Sequence, residues 1–240
     1  MAKAIARESS RKNKINIDYS KEEKEVIFQR LPSTSAHLGY RRPPTPYYEK
    51  YSCGFRNKRA IIDSERTLLF TKIACDVIRS IIRGEGHSLL VNTDPFPNHI
   101  IERMAKKTNQ SHVSYKWIGG FSTNWKHMNH GKRLEDLSAQ HPSPRSLKMR
   151  KSGLMTRQIP DRLVILNAHR DFLAILEANR LQIPIVSLVD STLPKRLHKL
   201  ITYPIPVNND SIQFADPFCK SITKTVIHLK RAHKLAKKAQ

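Results

Sequence analysis

Residues 159–191 read IPDRLVILNAHRDFLAILEANRLQIPIVSLVDS. The run Leu163 to Leu166 is wholly apolar and bounded by charged and polar residues, and PIVSLV at 184–189 is nearly so. Such runs suit strands covered on both faces. Residues 171–181 between them read as a helix. Strand, helix and strand in this order predict a parallel crossover unit.

Working outward, residues 65–83 predict a long helix with Ser64 as its N-cap. Leu69, Ile73, Val77 and Ile81 recur every fourth residue, with Ile78 and Ile82 beside them, as an apolar stripe to be laid on a sheet. Gly84 and Gly86 end it. Residues 59–63, 87–93 and 113–117 read as strands. Residues 98–107, entered through Pro97, and 124–137 read as helices. Ser20 and Glu23 form a capping box for a short helix at 21–30, stopped by Pro32. Pro43, Pro44 and Pro46, with Tyr47, Tyr48 and Tyr51, predict an extended run over a surface. The last helix docks through Ile222, Val226, Ile227 and Leu229, and its basic end projects. The alternation predicts an α/β domain with a mainly parallel sheet and helices on both faces.

The 240 residues carry 43 Lys+Arg against 20 Asp+Glu, a net charge of +23. At 39% apolar, the chain has enough material for a core, so a disordered polycation is excluded. Small-molecule chemistry does not require so large an excess, and a polyanionic partner, above all nucleic acid, does. Cys53, Cys75 and Cys219 are odd in number and far apart, which fits reduced thiols. No apolar stretch approaches the ~18 residues of a membrane span, and no membrane partner is expected. The first 17 residues are basic with a single acid, Glu8, and fit either an organellar targeting segment or an arm lying on nucleic acid.

The motifs of phosphate chemistry are missing. The strand ending at Thr93 runs into Asp94-Pro95-Phe96-Pro97, where prolines remove N–H donors and a carboxylate repels phosphate. Neither G-x-x-x-x-G-K-[ST] nor G-x-G-x-x-G occurs. His127 and His130 share a helical spacing but lack an acidic or cysteine ligand nearby, so no metal is expected. No G-x-S-x-G elbow occurs. No cofactor and no small-molecule substrate are expected.

The positive signals are of another kind. Residues 115–125, YKWIGGFSTNW, mix aromatics, two glycines and polar donors at a strand-to-helix junction. Gly119 and Gly120 allow close backbone approach, and Trp117 and Trp125 are candidates for the core. Residues 35–42, SAHLGYRR, place a glycine turn before two guanidinium groups suited to phosphate. VDST at 189–192 ends a strand, and YPIPVNND at 203–210 opens the last helix. Residues 140–158 and the tail after Asp216 are basic and contain no acid.

HLGY, RAIIDSERT, KWIGGFSTNW, IPDRLVILN, IPIVSLVDS and YPIPVNNDSI occur in this order across residues 35–212. Together they closely resemble the universal S-two protein family of the small ribosomal subunit. The resemblance implies a flavodoxin-like three-layer α/β/α domain that binds small-subunit rRNA and neighbouring ribosomal proteins and is not an enzyme. It implies a basic N-terminal arm at 1–20, the α/β domain at 21–216 and a basic C-terminal helix or tail at 217–240. It also implies that the family's long helical hairpin is reduced to a basic insertion at 138–160. Loss of the bacterial-type hairpin favours a mitochondrial over a chloroplast version. The loop after Thr93 is usually basic in the family and reads DPFPN here.

The RNA-binding residues expected on this reading are Arg7, Arg11, Lys12 and Lys14 in the arm, and His37, Arg41 and Arg42 after it. Lys116, Asn124 and Lys126 follow at the junction, Arg145, Lys148, Arg150 and Lys151 in the insertion, and Lys230, Arg231 and Lys234 in the tail. Two other readings remain open on sequence alone: an α/β enzyme acting on a phosphorylated or nucleotide substrate, and a free RNA-binding regulator.

Overall fold

The computed structural model describes residues 35–41, 44–94, 98–114, 116–125, 159–209 and 212–238, with side chains of the last segment described for 215–230. The expected helices at 21–30 and 124–137, apart from the first residues of the latter, and the insertion at 138–158 lie outside the described residues.

A hairpin comes first: β1 (Ser52–Arg56) and β2 (Arg59–Ile62) are antiparallel. Asn57 and Lys58 turn between them, both at positive φ, the geometry that matches strand twist in a two-residue hairpin. The strand expected at 59–63 therefore belongs to this separate sheet. Then follow α1 (Ser64–Arg83), β3 (Ser88–Val91), α2 (Asn98–Thr108) and β4 (Ser111–Val113). After the insertion come β5 (Arg162–Ile165), α3 (Phe172–Arg180), β6 (Ile185–Val189), the single turn α4 (Lys195–His198), β7 (Tyr203–Pro206) and α5 (Ile212–Lys238).

The main sheet is parallel throughout, in the order β4-β3-β5-β6-β7. This is the doubly wound order in which the first strand lies second. Successive strand residues alternate between two cores. Leu90, Val164, Val186, Leu188 and Ile205 face α1, α2 and α5. Leu89, Val91, Leu163, Ile165, Ile185 and Val189 face α3, the junction aromatics and Tyr48 and Tyr51. The three-layer α/β/α fold expected from sequence is the one observed.

Several local expectations are corrected. The N-cap of α1 is Asp63, whose carboxylate accepts from the amides of Glu65 and Arg66; Ser64 is already helical. The buried face of α1 is Thr67, Thr71, Ala74, Cys75, Ile78 and Ile82. Leu69 is 55% exposed, Ile73 is also exposed, and Val77 and Ile81 are half-buried. Leu69 and Ile73 each stand two residues, about 200° of helical turn, from Thr71. The first part of that inner face is small because α1 packs against both β7 and α5, and Ile78 and Ile82 fill the core further along. The threonine hydroxyls are satisfied on carbonyls, Thr67 on Pro206 at 2.6 Å and Thr71 on Thr67 at 2.7 Å.

The strand expected at 113–117 is instead Ser111–Val113, and Trp117 is buried in the core beyond it. The proline-rich run at 43–51 is not simply extended. Tyr48 and Tyr51 are buried, and Glu49–Tyr51 forms a 3-10 turn. Arg162, which flanks the apolar run in sequence, lies inside β5 and is buried. Its Nε donates to Ser88 Oγ at 2.8 Å, and burial lowers its pKa to about 10, so it keeps its proton at neutral pH.

Candidate nucleic-acid interface

Open parallel sheets bind ligands in the crevice outside the carboxyl ends of their strands. In this chain residues 36–41 and 44–51 are seated on the carboxyl ends of β6 and β7. Ala36 O accepts from the Asn208 amide at 2.9 Å, and Leu38 O from Asn208 Nδ2 at 2.8 Å. The Gly39 amide donates to Ala60 O at 2.8 Å, and the Thr45 amide to Ser191 O at 3.0 Å. Tyr48 is fully buried and donates its hydroxyl to Val189 O at 3.2 Å. A Cβ on Gly39 would stand 3.0 Å from Ser191 Oγ and 3.1 Å from Ala60 O. The glycine of HLGY therefore serves close approach to the end of β6. Burial and the Asp190 charge raise the Tyr48 pKa, so the phenol stays a donor.

At the switch point between β3 and β5, Asn92 Nδ2 donates to Asp94 O and Asn98 Oδ1. Asp94 pairs with Arg170 at 3.0 Å. Asp171 is buried behind them, and burial pushes its pKa up to about 6 against the opposing pull of Thr93 and Arg170. This lining is rich in oxygen acceptors, the wrong character for a phosphate.

The junction at 116–125 is locked from α3. Glu177 is buried on that helix, and its Oε1 accepts from Trp117 Nε1 at 3.1 Å and the Gly120 amide at 2.7 Å. Its Oε2 accepts from the Ser122 amide at 2.9 Å. Trp117, Phe121 and Trp125 stack in a tilted and edge-on series beneath. The constrained glycine is Gly120, at φ +85°, with Asn124 Nδ2 3.1 Å from where a Cβ would sit. Gly119 has open space and an ordinary φ, contrary to the expectation that both need glycine. Lys116 and Asn124 face solvent from this loop.

The other expected residues that the structure describes stand apart from the junction. His37 is half-buried, its carbonyl accepting from the Ile62 amide, and Arg41 is exposed. The Lys230 ammonium donates to Thr108 O at 2.6 Å, tying α5 to the end of α2. Partial burial lowers its pKa. Arg231 and Lys234 continue the same helix, but their side chains lie outside the described residues, as do Arg7, Arg11, Lys12, Lys14, Arg42, Lys126, Arg145, Lys148, Arg150 and Lys151. Lys230 and the junction lie on opposite layers of the sheet, so the expected residues do not converge on one pocket.

Sequence reasoning missed two groups of exposed cations: Arg103, Lys106 and Lys107 on α2, and Lys195, Arg196 and Lys199 around α4. Residues 194–199, PKRLHK, contain no acid, so the test applied to the tail would have found the second group. Glu177 was missed because nothing local distinguishes it from an ordinary helical glutamate.

The sequence pattern of the family described as Ribosomal protein S2 matches residues 31–228. The chain belongs to the ribosomal protein S2 family. It is 55% identical over 225 residues to the small ribosomal subunit protein uS2m of Marchantia polymorpha, covering 87% of this chain and 94% of that one. It is 32% identical to the uS2m of Arabidopsis thaliana, covering 84% and 88%. Against the uS2 of Rhodospirillum centenum it is 30% identical, covering 83% of each.

Proposed function

We infer that this S2-family chain is a structural constituent of the small subunit of a mitochondrial ribosome, where it binds rRNA and neighbouring ribosomal proteins. The observation that carries this is the 55% identity to a uS2m along nearly the full length of both chains. The oxygen-rich lining at the β3/β5 switch point, with no glycine-rich phosphate loop, supports a binding rather than a catalytic role. The exposed Arg41, Lys116 and Asn124 supply phosphate and base contacts, together with the basic arm, insertion and tail. The junction residues are presented on a loop fixed from behind by Glu177, so little order remains to be imposed when RNA binds. A tagged chain is expected to sediment with small-subunit rRNA in a sucrose gradient of lysed mitochondria. A chain found only at the top of the gradient would overturn the reading.

A further inference from the structure

The turn α4 and the 3-10 turn Glu49–Tyr51 meet across His198. The His198 ring is buried, edge-on to Tyr47 at 4.6 Å and stacked on Tyr51 at 5.6 Å. On the same turn Lys195, Arg196 and Lys199 are exposed. The Lys50 ammonium lies over the Tyr47 ring at 4.2 Å and the Tyr51 ring at 4.8 Å. Four cations are thus mounted around one aromatic base.

Among the described residues none of these four forms an ion pair, whereas Arg66, Arg79, Arg170 and Lys220 each meet a carboxylate. The acids in the adjoining segments are Glu49, exposed beside Lys50, and Asp190, buried and bonded to the Thr192 hydroxyl. Burial, with the Lys50 charge adding to it, lowers the His198 pKa to about 4, so the ring stays neutral and stacks. The cations repel one another, and a one-turn helix has little dipole to reward them. The turn is nevertheless held by a buried ring and two tyrosines, which fixes the charges in place.

We propose that Lys50, Lys195, Arg196 and Lys199, set around Tyr47, form a docking surface for the phosphodiester backbone of RNA. This rests on the rRNA-binding reading above and adds a surface to it. An ammonium held over tyrosine faces suits a phosphate chain, and the exposed Arg196 can grip one phosphate through two donors.

The test uses the full chain, the triple variant Lys195→Ser/Arg196→Ser/Lys199→Ser, and an in vitro transcript of the small-subunit rRNA of the same mitochondrion. Filter binding from about 50 to about 300 mM KCl should show the variant at least roughly tenfold weaker at low salt, with a log–log slope shallower by about 2. In the parent complex, Lys195 and Lys199 should be protected from acetylation while Lys72 on α1 is not. If the parent binds steeply and the variant matches it in affinity and slope, the surface is refuted and the rRNA reading stands. If the variant binds naked rRNA like the parent but is depleted from assembled small subunits, the surface meets a protein and the RNA proposal falls. If the parent itself does not bind the transcript, both readings fall together.

Discussion

The junction at 116–125 and the turn at 194–199 are opposites. The junction is dense in motif: two tryptophans, two glycines and capping residues. In the structure most of that content points inward, to Glu177 and to an aromatic stack. The turn is nondescript in sequence, yet it presents three exposed cations on an aromatic anchor. A recognisable pattern can mark a packing constraint, because packing fixes residue type more narrowly than a phosphate contact does. Long-range attraction to a polyanion asks only for charge in roughly the right place.

That contrast can be broken by mutation, and the largest effect belongs to the junction. Glu177→Ala leaves two buried donors and one half-buried donor without an acceptor, at a cost of roughly 3–5 kcal/mol. The melting temperature should drop by about 10 °C or more. A variant melting within a degree or two of the parent would show that the lock contributes nothing.

Next comes Asp171, on the same helical layer. In the native chain it holds its proton up to about pH 6, whereas an unfolded aspartate loses it near 3.9. Between those values the native state binds more protons, so stability contributed by the protonated group is lost as pH rises. Asp171→Asn should therefore be more stable than the parent at pH 7.5, by on the order of 2–3 kcal/mol, and the difference should vanish below about pH 4. Parallel pH profiles for the two proteins would contradict this. His198 acts in the opposite sense over a similar window, because its lowered pKa removes stability as pH falls from about 6.5 towards 4.

The two glycines give a finer separation. Gly120→Ala places a side chain at φ +85° against Asn124 and should cost about 1–2 kcal/mol. Gly119→Ala should stay within about 0.5 kcal/mol of the parent in a denaturant titration. Equal losses at both positions would mean that the turn is strained as a unit. The smallest effect belongs to the turn. The triple serine variant of Lys195, Arg196 and Lys199 should melt within about 1 °C of the parent, even though its RNA binding changes. A larger drop would show that these side chains hold α4 in place.

The sheet was legible where burial is two-sided. The runs at 163–166 and 184–189 leave no alternative to a covered strand, and β5 and β6 lie at the centre of the sheet. The register of α1 was not legible. Its inner face is chosen by the closeness of α5, a contact over 130 residues away that favours Thr71, Ala74 and Cys75 over Leu69 and Ile73. The hairpin escaped because its turn, Asn57-Lys58, lacks the glycine that usually signals positive φ. Among the expected RNA contacts, charge runs were readable as runs. Which of their members are already engaged was not, and Lys230, spent on the end of α2, is the clearest case.

The seating of residues 36–48 on the ends of β6 and β7 also sets an order of events during synthesis. Tyr48 must wait for Val189, 141 residues later, and Leu38 for the side chain of Asn208, 170 residues later. Until the last strands have emerged, the buried Tyr48 has neither its wall nor its hydroxyl's acceptor, and the early segment has nowhere to go. The domain therefore closes at one late step, when a stretch made near the beginning is captured by a stretch made near the end. Any trimming of the nascent N-terminus that reached past residue 36 would remove the strap on which that closure depends.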